Sequence, residues 1–394
     1  MNKPNGLTYL HRQNRRHWAK VWRRITCCVV VAGFAPVFVL AQSSVPADGA
    51  APALSMADMR QRVAAAGLHG QPWDGPQSGP AGALGKSVAI ISDDLRNGGI
   101  LGVAQGVQEA AGVLKWNVKV FDAGGTPAGR QKATADALTM RPDGLILVGP
   151  DTRAIQPLLA PFVNQGTPMV GWHVSSAPGP VANSPVAMNV STNPLEVARI
   201  TAMAAVTLSN GRAGVVIFTD SGYAIATAKA NAMAEVIRAC QTCKLLEIRD
   251  VAIARNAELM PAVTRELLAR YGGQWTHALA VNDIYFDFAV PELIKVGQSG
   301  RKISLLSAGD GSASAFMRIQ AKTFQTGTVA EPLNLHGWQL VDELNRLFMH
   351  QPVSGYVPPV HLVTSDNIAF DGGPRLQYDP DNGYRHVYRR IWKQ

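Results

Sequence analysis

The chain has 394 residues, enough for two domains of ordinary size, and a composition of 47% hydrophobic and 16% charged residues supports folded cores rather than disorder. Its formal net charge of +9 suggests a polyanion partner, but seven of the cations (Lys3, Arg12, Arg15, Arg16, Lys20, Arg23 and Arg24) fall in residues 1–41, where there is no acid. Setting that segment aside leaves +2 (9 minus 7), which excludes a general affinity for nucleic acid or an anionic lipid surface.

The first element in chain order is this basic stretch, followed by "ITCCVVVAGFAPVFVLAQSS". A charged start, an apolar core and small residues up to Ala41 are the layout of a cleavable export signal, expected over residues 1–41. The apolar run Ile25–Leu40 is shorter than the ~20 residues a bilayer demands, and Pro36 interrupts it, so a membrane anchor is the weaker reading. Arg15-Arg16 matches a twin-arginine signal too loosely to choose the export route.

Residues 42–85 are rich in Ala, Pro, Gly and Ser and read as a tether or lightly packed extension with one short helix around Met56–Ala66. "PAGALGKSVAIIS" falls short of a phosphate loop, because Pro80 stands at its first glycine position and the segment precedes a strand instead of following one. From Lys86 the pattern is regular. "SVAIIS", "VKVFD", "GLILVG" and "PMVGW" read as strands separated by amphipathic helices, and residues 99–114 place Ile100, Val103, Ala104, Val107, Ala111 and Leu114 on one helical face. The alternation resumes after about 190 with "AGVVIFTD", "KLLEIRD", "HALAVND" and "KISLLSAGD", and "NPLE" at 193–196 is a helix start. Apolar strands without polar alternation imply parallel sheets covered on both faces.

Cys27 and Cys28 fall within the signal, which leaves Cys240 and Cys243 in "ACQTCK". The spacing suits a local disulfide, a redox pair or half of a zinc site; no second Cys/His pair follows at ligand spacing, so a structural pair at a helix end is favoured.

Several strands stop at or just before an acid: Asp93 and Asp94, Asp151, Asp220, Asp283 and Asp310. Ligands of open parallel sheets bind beyond the carboxyl ends of the strands. Each acid alone is an ordinary turn residue, but their recurrence in two βα series would line a cleft with acceptors, which suits a neutral polyhydroxylated molecule better than an anion.

On these elements, and on "VNDIYFDFAVPELIKVG" and "ISLLSAGDGSASAFMRIQAKTFQTGTVAEP", the chain resembles the type I periplasmic binding proteins, specifically the ribose-binding branch, over roughly residues 86–364. The resemblance implies an α/β fold of two doubly wound parallel-sheet lobes joined by a three-segment hinge, with crossovers near Val186–Val190, Thr328–Glu331 and Tyr356–Leu362. It divides the chain into the signal, the extension over 42–85, a first lobe of 86–187 plus 331–355, a second of 190–330 plus 356–365, and a C-terminal extension over 366–394.

By position the resemblance also implies a site. Asn282 stands at the family's sugar-binding asparagine, Asp310 at its partner aspartate, and Lys229 where an arginine often donates to hydroxyls. Asp94, Arg96 and Asn97 occupy the first binding loop, and Trp172, Tyr223 and Tyr285 are candidates for the aromatic plate over a sugar's C–H face. Asp283 is expected to join the site or to cap the helix that follows. His173 joins the set with departures in view: Gly98-Gly99 replaces the ribose-type paired aromatics, and His173-Val174 replaces an aspartate-arginine pair. The implied function is a periplasmic solute receptor of an ABC importer, monomeric, without cofactor or metal, with a small sugar or similar polyol as ligand and a permease as partner. A periplasmic sensor reporting to a receptor kinase or chemoreceptor is the alternative. An enzyme is disfavoured by the lack of GxSxG, HExxH and GxGxxG motifs, and a regulator by the lack of a helix-turn-helix ahead of the core. The tail "YRHVYRRIWK" is expected to pack on one lobe as a strand or strap rather than dock to a membrane.

Overall fold

A computed structural model describes residues 54–297 and 303–394; the expected signal and its two cysteines lie outside them. Twelve strands are present among the described residues: β1 (Ser87–Ser92), β2 (Asn117–Asp122), β3 (Gly144–Val148), β4 (Met169–Trp172), β5 (Gly179–Pro180), β6 (Val186–Val190), β7 (Gly214–Thr219), β8 (Lys244–Asp250), β9 (His277–Ala280), β10 (Ser304–Ser307), β11 (Gln325–Ala330) and β12 (His361–Thr364). They form two six-stranded sheets, ordered β2-β1-β3-β4-β6-β5 and β12-β11-β10-β9-β7-β8. All pairings are parallel except β5 with β6 and β11 with β12, one antiparallel edge strand per sheet. The central strands β3, β4, β7 and β9 are buried at every position, as strands covered by helices on both faces must be.

The architecture is that of two lobes, each a sheet between helices. The helix Gly98–Val113 packs against Leu333–Phe348 on the first sheet, and Pro194–Leu208 against Ala224–Ala239 on the second. Asn193 caps Pro194–Leu208, its Oδ1 accepting from the Leu195 and Glu196 amides, with Pro194 in the first turn.

From residue 54 on, the first extension is more firmly packed than a tether, and the C-terminal one packs as well. Met56–Ala66 is a helix with a Ser55–Asp58 capping box, lying on the second lobe against Pro194–Leu208. The chain then passes to the first lobe, where Trp73 packs on Tyr356 and Tyr388, Arg346 donates to the Ser78 carbonyl, and the Ala83 amide donates to Asn345. At the other end, Ile368–Asp371 sits on the second lobe, and Tyr384–Trp392 on the first. That last element is a helix, not a strand. Trp392 stacks parallel on Trp338 at 5.5 Å and donates to Asp342 at 2.8 Å, which hides its apolar face and leaves Arg389 and Arg390 outward. Among the described residues the chain therefore passes between lobes five times: near 68–73, after β6, after β11, between Leu333–Phe348 and β12, and near 372–383. No helix of the described residues is long and apolar enough to cross a membrane.

Candidate functional site

The carboxyl ends of β1, β3 and β4 face those of β7, β9 and β10 across a narrow cleft. A cavity of about 60 Å³ between them is lined by Asp93, Asp94, Asn97, Ile100, Gly149, Trp172 and His173 from one lobe, and by Tyr223, Ile225, Ala226, Lys229, Ile253, Val281, Asn282 and Asp310 from the other. Eight of the expected site residues meet here: Asp94, Asn97, Trp172, His173, Tyr223, Lys229, Asn282 and Asp310.

Three expected residues stand elsewhere. Arg96 is 63% exposed, and its guanidinium grips Asp94 and the Gly124 carbonyl outside the cavity. Tyr285 is a core aromatic: it is fully buried, stacks on Phe218 and donates to the Val251 carbonyl at 2.8 Å. Asp283 neither faces the cavity nor caps the next helix. It is fully buried and accepts from the amides of Gly311 (2.8 Å) and Ser312 (3.1 Å), from Gln325 (2.9 Å) and from the Ser307 hydroxyl. Its work is to clamp the 309–312 loop that presents Asp310. The local cap belongs to Asn282, whose Oδ1 accepts from the Ile284 amide while its Nδ2 donates to Asp310 at 2.7 Å. Of the other strand-tip acids, Asp220 is spent on the amides of Gly222 and Ile253.

The floor of the cleft is a buried charge network. Lys229 Nζ donates to the Ala308 carbonyl at 2.8 Å and lies 3.9 Å from Asp310 and 3.7 Å from Glu331. His173, in a left-handed backbone conformation with φ of 54°, stacks on Trp172 at 3.6 Å and donates from Nε2 to Glu331 at 3.0 Å. Trp172 donates in turn to Nδ1 of His336, so that ring carries its proton on Nε2, which is buried without a partner. Burial holds His336 neutral, at about 4. Burial alone would raise Glu331, but the facing His173, its hydrogen bond and Lys229 outweigh it and bring the carboxyl down to about 2. Asp310 goes the other way, pushed up to about 6 by burial with help from Glu331 and Asp283, against Lys229 and His173. His173, Asp310 and Glu331 lie close enough together to hold a cation. Lys229 already supplies one beside both carboxylates, so the two acids read as its counter-ions, with His173 hydrogen-bonded to Glu331.

Glu331 was not among the expected residues. It lies at the second crossover, 158 positions from His173, and only the fold brings them together.

The lobes also bond to each other directly. Arg130 holds Asp93 through two hydrogen bonds (2.5 and 3.0 Å), and Tyr223 of the other lobe donates to the same carboxylate at 2.6 Å. Burial, then the charge of Asp93, pushes the Tyr223 phenol up, so it remains a donor. Nearby, Asp151 accepts from the Ala224 amide across the cleft at 2.7 Å. The glycines that replace paired aromatics allow this closeness: a Cβ on Gly99 would lie 2.2 Å from an Asp310 carboxylate oxygen. Away from the cleft, Cys240 and Cys243 are joined as a disulfide where the helix Ala224–Ala239 ends.

Residues 88–351 match the family described as periplasmic binding protein domain. No curated protein matches the sequence. Among solved structures, a solute binding protein of an ABC transporter from Agrobacterium vitis, with bound allitol, is 17% identical at a TM-score of 0.61, covering 72% of this chain and 97% of its own. A second from the same organism, bound with alpha-D-tagatopyranose, is 14% identical at 0.64, covering 74% and 99%. The 5-methylthioribose transporter solute binding protein from Thermotoga lettingae, in complex with 5-methylthioribose, is 15% identical at 0.62, covering 78% and 92%. With two thirds of its length matched and both lobes in place, the chain belongs to the periplasmic binding protein domain family.

Proposed function

We propose that this chain is the periplasmic solute receptor of an ABC importer, closing by hinge motion around a small, neutral, polyhydroxylated ligand of the monosaccharide class. One observation carries the reading. Asp94, Asn97 and His173 from one lobe and Lys229, Asn282 and Asp310 from the other face one cavity, with Ile100, Ile225, Ile253 and Val281 as its apolar walls. Amides and carboxylates hold neighbouring hydroxyls in pairs, and the ionised partners make the stronger bonds. The apolar walls suit a sugar's C–H faces. Contacts from both lobes exist together only in the closed form, so the ligand shifts the population toward the shape a permease reads. The export reading of residues 1–41 is consistent with this compartment, and the role requires no reaction.

The cavity holds the space of about four to six waters, so a monosaccharide seats with the lobes slightly further apart than they stand here. Native mass spectrometry of the mature protein, followed by calorimetry against a sugar and polyol panel, identifies the ligand. Asn282→Ala and Asp310→Ala are each expected to weaken it at least tenfold, about 1.4 kcal/mol, with melting temperature retained. Unchanged affinity in both variants would remove the site assignment.

A further inference from the structure

A second cavity, larger than that of the cleft, is present among the described residues. It lies behind the hinge and encloses about 550 Å³, a volume typical of small-molecule sites. Of its lining, only Glu196, Ile200, Pro332 and Leu335 fall within the family-matched stretch 88–351; the rest comes from 62–74 and 356–382. The two extensions, together with the third crossover at 356–361, thus build a chamber largely outside the family-matched stretch.

Its walls have a definite chemistry. Ile200 and Leu335 form an apolar floor, at 2% and 1% exposure. Tyr356, Tyr378 and Phe370 supply aromatic faces; one face of Tyr378 is stacked on His361, and Phe370 tilts against His69 at 5.9 Å yet stays 71% exposed. Two lining carboxylates are already spoken for, Asp371 by His69 and His361 (2.6 and 2.8 Å) and Asp379 by Tyr384 and Arg385 (2.9 and 2.8 Å). Three others are not balanced. Glu196 and Asp381 have no side-chain partner among the described residues, and Asp74 receives only the Tyr356 hydroxyl at 2.6 Å. Arg62 is the one lysine or arginine in the lining, and it is exposed.

We propose that this rear chamber is a second ligand site, specific for a small organic cation. Aromatic faces beside uncompensated carboxylates attract a quaternary ammonium or guanidinium group, whereas an anion would be repelled by the same walls. A bare metal ion does not fit, because no trio of rear-chamber ligand atoms converges: the one such trio among the described residues is in the front cleft. The proposal stands on the rear geometry alone and survives any outcome at the cleft.

Calorimetry on the full chain tests it, with choline and agmatine as cationic probes and 3,3-dimethylbutan-1-ol as the uncharged counterpart of choline. At least one cation binds at a single site, with the alcohol roughly tenfold weaker or worse. The paired substitution Glu196→Gln and Asp381→Asn, at side chains that hold nothing in the fold, weakens the cation by about tenfold, and Asn282→Ala in the cleft leaves it unchanged. Absence of binding by both cations at millimolar concentration, equal binding of the alcohol, indifference to the paired substitution, or loss in Asn282→Ala would each overturn the assignment. The comparison of choline with the alcohol uses the unaltered chain and so holds even if a variant misfolds.

Discussion

Removing one oxygen, in Tyr223→Phe, should loosen the closed state without touching either lobe's core. The phenol donates to Asp93 at 2.6 Å from the opposite lobe, and Asp93 is 1% exposed. A hydrogen bond to a charged group nets about 1.5–3 kcal/mol. The hydroxyl also accepts from Arg130 at 3.2 Å, a second bond across the cleft that goes with it; Asp93 and Arg130 keep their two bonds to each other, so no buried group is orphaned and the loss is about 1.5 kcal/mol or somewhat more. That lowers the closed-to-open ratio of the ligand-free protein by roughly tenfold. Spin labels at the exposed positions Lys132 and Glu258, one on each lobe, would report the change as a distance distribution shifted outward. Superimposable distributions would refute the latch. So would a fall in melting temperature of the same size, since it would mean that the hydroxyl serves its own lobe.

The remaining predictions rest on single atoms. Gly99→Ala puts a Cβ 2.2 Å from Asp310 Oδ2 with the lobes as close as they stand here, while the helix that carries it tolerates alanine; melting temperature should hold while the same spin-label distances in the ligand-free protein shift outward, and unchanged distances would show that the lobes need not approach this closely. Asp310 titrates near 6, so affinity measured by calorimetry should be flat above pH 7 and fall roughly tenfold per unit below 6 if the ligand donates to the carboxylate, with Asp310→Asn flattening the profile. The stability linked to that raised value is present below about 4 and lost as pH rises through 6. Glu343 is raised to about 7 by burial, despite two bonds from Ser354. Its contribution is full below about 4.5 and disappears as pH rises through 7, so Glu343→Gln should raise stability at pH 8 by on the order of 3 kcal/mol and leave pH 4 nearly unchanged in denaturant titrations.

The alternation of buried strands and helices was open to reading because each strand stays apolar through its length and each helix shows its stripe. Val215–Phe218 and Leu145–Val148 needed no tertiary information. The helix Met56–Ala66 was readable too, from its own sequence. The site was readable only at strand tips. Asn282 and Asp283 are neighbours of similar chemistry, and which of them turns to the cleft depends on the 309–312 loop, clamped by Asp283 from 28 residues away. Tyr285 has the composition of a sugar plate, but its helical position aims it at Phe218. Glu331, His336, Arg130 and the partners they meet are separated by 37 to 164 positions, and no local pattern announces such pairs. The first extension looked loose because Ala, Pro and Gly dominate it; its order comes from Trp73 meeting Tyr388, which in turn stacks on Trp392, contacts made only in the folded chain.

A pivot crossed five times moves differently from one crossed three times. Every added strap has a length that must accommodate the swing, and straps seated behind the axis are squeezed as the front gapes. In the proposed hinge motion the segments near 68–73 and 372–383 would act as a doorstop, limiting how wide the jaws part from the side opposite the cleft.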